Sequence, residues 1–209
     1  MAMAGPTDTT IRTATAPKGT RMSTPMSTGT SITPMITDST LTLHQLFSPA
    51  FPTGAFAWSH GLETAVQEEQ VTDAESLQAW LEALLRHGAG WSDAVLLAQA
   101  AQGGDAAELT ELGLALSPSA ERRAETDQQG RAFAATVSQV WGVEIPPAPY
   151  PVAVGLTVRA LDLPLAEALR LFLQAVVSNL AGAGVRLVPL GQTDGQRVVQ
   201  ALAPLCAAQ

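Results

Sequence analysis

Cysteine, lysine and tyrosine each occur once in this 209-residue chain, as Cys206, Lys18 and Tyr150. A single cysteine permits neither an internal disulfide framework nor a paired-cysteine zinc site, and it makes a reducing cytoplasm the expected compartment. The lone lysine sits in Pro17-Lys18-Gly19, so no Gly-Lys-Ser/Thr phosphate loop exists. An ATPase or GTPase of that class is excluded. Charged residues make up only 14% of the chain and leave a net charge of −8. That balance argues against nucleic acid as the main partner, because phosphate-backbone binding needs clustered Lys and Arg. Long apolar runs are also missing. The longest uncharged stretch in an apolar region, Leu171 to Val185, is interrupted by Gln174, Ser178 and Asn179 and falls short of the ~18 residues expected of a span. No membrane partner is expected, and a soluble protein is.

What remains is strongly apolar, at 46% of residues, and unevenly spread. Residues 1–40 hold sixteen Ser or Thr and all five methionines but almost no large apolar side chains. Such a segment cannot bury enough surface to offset its ordering entropy, so a disordered tail is expected there. Met22 and Met35 offer alternative starts, and Arg12, Lys18 and Arg21 give a faint transit-peptide composition without an amphipathic arginine helix. From Leu41 onward seventeen acids face eight arginines. Residues 41–209 are expected to form one domain.

Helical periodicity dominates that domain. Leu77, Trp80, Leu81, Leu84 and Leu85 repeat at helix spacing behind Thr72 and Glu75, which have the spacing of a capping box. Leu109, Leu112 and Leu116 mark a shorter helix. Ser117-Pro118 reads as the cap and first residue of the next, with Phe133, Val137, Val140 and Trp141 on one face. Gly142 and the prolines after it stop that helix. Further helices are expected over Val152–Leu161, after a cap at Asp162, and after a capping box at Thr193 and Gln196. The last two carry Leu165, Leu169, Phe172, Leu173, Val176 and Leu180, and then Val198, Val199 and Leu202. No strand alternation appears. The expected fold is all-α, a bundle of about seven to ten helices.

Few residues are equipped for catalysis. His44, His60 and His87 form no His-x-x-x-His pair, and the frame of a nucleophile elbow is absent around Ser59. His60 and Glu63 are three apart, so a helix through both would place them on one face as a metal or acid–base pair. The plainer reading is a capping or partner-facing pair at a helix start. Cys206 reads as a packed thiol.

Two segments stand out. Phe51, Phe56 and Trp58 crowd around a Pro/Gly turn, where loops are usually polar, and continue into Ser59-His60-Gly61-Leu62-Glu63. Either the loop folds back on the core through its aromatics or it presents a partner surface. In the second, Arg186 is the only charge between Arg170 and Asp194, followed by Pro189, Gly191 and Gln192. It is either a plain helix–turn–helix corner or an interface element, and a lone arginine in such a setting needs partners.

These blocks together resemble the urease accessory protein UreF family. The likeness rests on Phe51-Pro52-Thr53-Gly54-Ala55-Phe56 with Ser59-His60-Gly61-Leu62-Glu63, on Arg123-Ala124-Glu125 with Gln129-Gly130-Arg131, on Tyr150-Pro151-Val152-Ala153, and on Ser178-Asn179 with Arg186 to Gln196. It spans Leu41 to Ala203 in family order. Trp58 and Tyr150 stand where the family more often has tyrosine and histidine. The resemblance implies a non-catalytic, cytoplasmic, all-α homodimer that binds UreD (also called UreH), recruits the GTPase UreG and helps deliver nickel to apo-urease. It implies no stably bound cofactor and no metal ligands in this chain, nickel being handled by the complex. The partner-binding residues so implied are Phe51, Pro52, Gly54, Phe56, Trp58, Ser59, His60, Gly61, Glu63, Arg123, Glu125, Arg186, Pro189, Gly191, Gln192 and Asp194. The alternatives are a metal-dependent hydrolase using His60 and Glu63, and a generic helical adaptor.

Overall fold

A computed structural model describes residues 38–208 together with Met1, Ala2 and Gly5. The tail expected to be disordered lies almost wholly outside the described residues. Among the described residues there are nine α-helices and no strand, as the periodicity implies. The helices are α1 (Ser39–Leu46), α2 (Leu62–Gln67), α3 (Ala74–His87), α4 (Ala89–Ala101) and α5 (Ala106–Ala115). They continue with α6 (Ala120–Trp141), α7 (Tyr150–Ala160), α8 (Leu165–Leu187) and α9 (Gln192–Ala208). A short 3₁₀ turn, Ala55–Ala57, lies in the loop between α1 and α2.

Several helix starts fall one or two residues from their expected places. The capping box of α3 is made by Asp73 and Ser76, not Thr72 and Glu75: Ser76 N–H donates to the Asp73 carboxylate at 2.8 Å. Ser119 rather than Ser117 caps α6, accepting from Arg122 N–H at 3.1 Å. Pro164 precedes α8, while Asp162 sits at φ 51° outside it. Helix α9 starts at Gln192, one residue ahead of the expected Thr193 cap. At α3 and α6 a neighbouring polar residue of similar capping capacity competes, and tertiary packing selects the register.

Helix α7 is the centre of the bundle. Pro151 through Gly155, Thr157 and Val158 are all buried, the signature of a helix covered on every side. It packs between α4 and α6, while α8 packs against α9, α3 and α4. Glycine permits three of these approaches. A Cβ at Gly155 would meet the Leu97 carbonyl of α4, one at Gly184 would meet the Leu77 side chain of α3, and one at Gly130 would strike the Ala148 carbonyl. Helix α8 is long and apolar enough to cross a membrane by length and composition alone, with 44% of that window buried. Its Phe172, Leu173, Val177, Leu180 and Ala181 belong to the bundle core, so its apolar face is already covered.

A chain of aromatic rings runs through the core. Phe51 lies 5.2 Å from Phe133, Phe133 is 5.5 Å from Tyr150, and Tyr150 is 5.6 Å from Phe172. Edge-to-face and tilted pairs at these spacings add roughly 0.5–1.5 kcal/mol each beyond burial. Val140, expected on the inner face of α6, is exposed instead, because the buried stripe runs through Phe133, Val137 and Trp141 and Val140 lies beside it.

Gly130→Ala should lower stability by about 3 kcal/mol, since its Cβ would press on Ala148 and Tyr150 backbone that cannot yield cheaply. Gly182→Ala on α8, where only the Arg186 side chain comes within 4 Å, should be neutral or stabilising by up to ~1 kcal/mol. Thermal melts of the two variants check the contrast.

Candidate functional site

Asp93 is the only charged residue of α4, an otherwise apolar helix, and it is buried. Arg122 on the first turns of α6 reaches across to it, donating from Nη2 to Oδ2 at 2.5 Å. The same guanidinium lies 3.3 Å from Oε2 of Glu125, one turn further along α6. Glu125 accepts at Oε1 from His60 Nε2 at 3.0 Å and from Gln129 Nε2 at 2.9 Å. The Glu125 side chain is only 3% exposed, and those of His60 and Arg122 are 10% exposed. One buried network therefore ties the loop before α2 to α4 and α6.

Burial alone would raise the pKa of Glu125, but the hydrogen bond and charge of His60, with Arg122 and Gln129, outweigh it and hold the carboxyl below its ordinary value. Asp93 moves the other way: burial raises it, while Arg122 and His60 oppose the rise only in part. Burial likewise raises Tyr150, with the nearby Asp93 charge adding to the effect. His60 adopts φ 55° and keeps Nδ1 buried without a hydrogen-bond partner. The network floors a cleft of about 860 Å³ bordered by Trp58, Glu63, Trp80, His87 and Glu121. On its other side is a chamber of about 60 Å³, lined in part by Gln129, Tyr150 and Asn179.

The loop from residue 51 to 61 is buried at one end and exposed at its tip. Phe51 is buried against Phe133, folding the loop onto the core, whereas Phe56 is 71% exposed and Trp58 half-buried. Gly54 at φ 75° and Gly61 at φ 85° supply left-handed turns that side chains rarely adopt. Helix α8 holds the 3₁₀ turn from below. Asn179 Nδ2 donates to the Ala55 carbonyl at 3.0 Å, and the Arg186 guanidinium sits 4.1 Å from the centre of the Phe56 ring. Arg186 Nη2 also reaches the Phe56 carbonyl at 3.5 Å.

The remaining expected residues are dispersed. Pro52 is exposed in the loop and Ser59 half-buried beside His60. Arg123 is exposed and donates to the Leu114 carbonyl at 3.4 Å, outside the network that its neighbour Arg122 joins. Pro189, Gly191 and Gln192 are exposed at the α8–α9 corner, where Asp194 pairs with Arg197 at 2.7 Å. Arg122 and Asp93 were not singled out from the sequence. A lone acid in an apolar helix was the available signal for Asp93.

A family model described as UreF matches residues 71–203, more than half of the chain. This chain belongs to the UreF family. A urease accessory protein UreF of Cereibacter sphaeroides (strain KD131) is 54% identical over 165 residues, covering 79% of each chain. The UreF of Dinoroseobacter shibae is 49% identical over 169 residues, covering 81% of this chain and 80% of its own. That of Rhodopseudomonas palustris (strain BisA53) is 50% identical over 175 residues, covering 77% and 74%.

The alternative in which His60 pairs with Glu63 is not realised in this chain. Gly61 caps α2, so His60 lies before the helix rather than on its face, and its ring turns inward to Glu125. Among the described residues no three His, Cys, Asp or Glu side chains are grouped as a metal cage requires.

Glu125→Gln should destabilise this protein by about 3 kcal/mol at neutral pH, because Arg122 and His60 lose a buried charge partner. A carboxyl whose folded pKa is depressed gives stability that is present above its unfolded value and lost as pH falls through the folded one. The gap between wild type and variant should therefore be widest at neutral pH, begin to narrow below the ordinary glutamate value of 4.5 and close only as the pH falls through the lower folded value. Chemical denaturation of both proteins from pH 7 to pH 3.5 measures it.

Proposed function

We propose that this member of the UreF family acts by protein contact within an assembly containing UreD and the GTPase UreG, which delivers nickel to apo-urease, and that it regulates UreG without catalysis of its own. The observation that carries this reading is the Phe56–Arg186 pair. An exposed aromatic ring on a loop is braced by an arginine and an asparagine from the long helix α8. Such an arrangement presents a large, rigid contact group at low entropic cost, as interface anchors do. The chain has no Gly-Lys-Ser/Thr sequence, so GTP chemistry in the assembly falls to the partner. The homodimer and the cytoplasmic setting belong to the same proposal. His60, engaged with Glu125 and apart from Glu63, favours this reading over the hydrolase.

Arg186→Ala should cost less than ~1 kcal/mol of stability, because Arg186 is exposed and its chief contact is the Phe56 ring. The same variant should lose UreD in pull-downs and fail to activate urease. Normal recovery of UreD together with normal urease activation would sink the proposal, as would global unfolding, which would make Arg186 a brace of this chain's own fold.

A further inference from the structure

We propose that Asp93 and Arg122 are positioning residues for partner binding: from α4 and α6 they set the loop that displays Phe56 and Trp58. This rests on the reading that the chain works by protein contact, and it assigns control of that contact to two residues outside the loop. The loop needs such control because its own backbone supplies little. Ala57 and Trp58 N–H donate to the Gly54 and Ala55 carbonyls within the 3₁₀ turn, and Leu62 N–H donates to Ser59. Among the described residues the N–H groups of Ser59, His60 and Gly61 donate no main-chain hydrogen bond. His60 and Gly61 both have positive φ, at 55° and 85°. A residue other than glycine keeps such a conformation where its surroundings over-determine it. The polar side-chain contact of His60 is with Glu125, whose Oε1 lies 3.0 Å from Nε2.

Glu125 meets that histidine only while its carboxylate is turned toward the loop, and Arg122 sets the turn. Arg122 Nη1 lies 3.3 Å from Glu125 Oε2, the oxygen that His60 does not use. The other arm, Nη2, donates to Asp93 Oδ2 at 2.5 Å. A guanidinium is a rigid planar fork, so seating Nη2 on Asp93 fixes where Nη1 points. Gln129 also donates to Glu125, but it lies on α6 itself and relates that helix to no other element. Position therefore passes from Asp93 on α4 through Arg122 and Glu125 on α6 to His60 in the loop. Phe51 against Phe133, and Asn179 on the Ala55 carbonyl, hold the earlier part of the loop. The stretch from Trp58 to Gly61 depends on the network.

Hydrogen exchange of the full chain, read at the amides of Ala57, Trp58 and Leu62, tests the proposal. In Asp93→Asn these amides should exchange about tenfold faster, while those of Val198, Val199 and Leu202 on α9 keep the wild-type rate. Arg122→Lys, which retains the charge but not the fork, should give the same pattern. In a His60→Ala background Asp93→Asn should add no further acceleration, because its effect passes through that histidine. Recovery of UreD in pull-downs should fall about fivefold in Asp93→Asn and in Arg122→Lys, although neither residue lies in the loop. Unchanged loop exchange, acceleration as large on α9 as in the loop, or additive effects of Asp93→Asn and His60→Ala would overturn the proposal. So would full recovery of UreD by variants with a loosened loop. Failure of both Asp93→Asn and Arg122→Lys to fold would overturn it too, by making the pair a brace of the whole bundle. Exchange is read without a partner, so the positioning can fail while the contact reading stands. A wild-type chain that recovers no UreD would fail the contact reading alone.

Discussion

The carboxylate of Glu125 is the constraint around which the rest is arranged. It sits in the bundle interior, where an unpaired charge would cost several kcal/mol. Three donors from different positions meet that demand: His60 from the loop, Arg122 one turn back on α6, and Gln129 one turn forward. Because Arg122 also holds Asp93, satisfying one charge fixes the relation of α4 to α6. The histidine, in turn, reaches the site only from a left-handed backbone conformation next to Gly61. The loop that displays Phe56 and Trp58 is therefore held at one end by the network and at the other by Phe51 packing on Phe133. Asn179 and Arg186 brace it from α8 between those points.

Close backbone approach supplies the second constraint. Gly130 stands directly against the segment leading into α7, and Tyr150 N–H donates to Thr126 Oγ1 beside it at 3.2 Å. Gly155 brings the other side of α7 onto α4. The polar network and the ring chain from Phe51 to Phe172 are thus built on helices whose spacing is set by missing side chains. Apolar contact fills the volume, close approach sets the distance, and the buried ion pairs make one register much better than its neighbours.

The helical class, the number of helices and most of the core were legible in the sequence because they depend on periodicity. Leu77, Leu81 and Leu85 recur at helix spacing and are fully buried. Helix boundaries were less legible. Around α3, Thr72, Asp73 and Ser76 all have capping side chains, and only packing chose Asp73. The site was legible in its pieces but not in its pairings. His60 and Glu125 were both recognisable as unusual, yet they are sixty-five positions apart, and the nearer Glu63 offered a simpler local geometry. Arg122 was hidden beside Arg123, because two adjacent arginines on a helix differ by about a hundred degrees in direction and only one faces inward.

That difference in direction bears on how the molecule divides its labour. Residues 122, 125 and 129 share the buried stripe of α6, while Arg123 and Arg131 on other faces make only exposed contacts. The buried stripe therefore determines fold and loop position, and the groups left at the surface by the loop and the first turns of α2 and α6 are Phe56, half-buried Trp58, Glu63 and Glu121. Conformational strain at His60 is tolerated because the network over-determines its position. A loop held at its base by buried charge, on its back by aromatic packing and from beneath by α8 loses little entropy when it meets another protein. In the proposed contact role the internal charges contribute to recognition without touching the partner, by fixing in advance the surface that does.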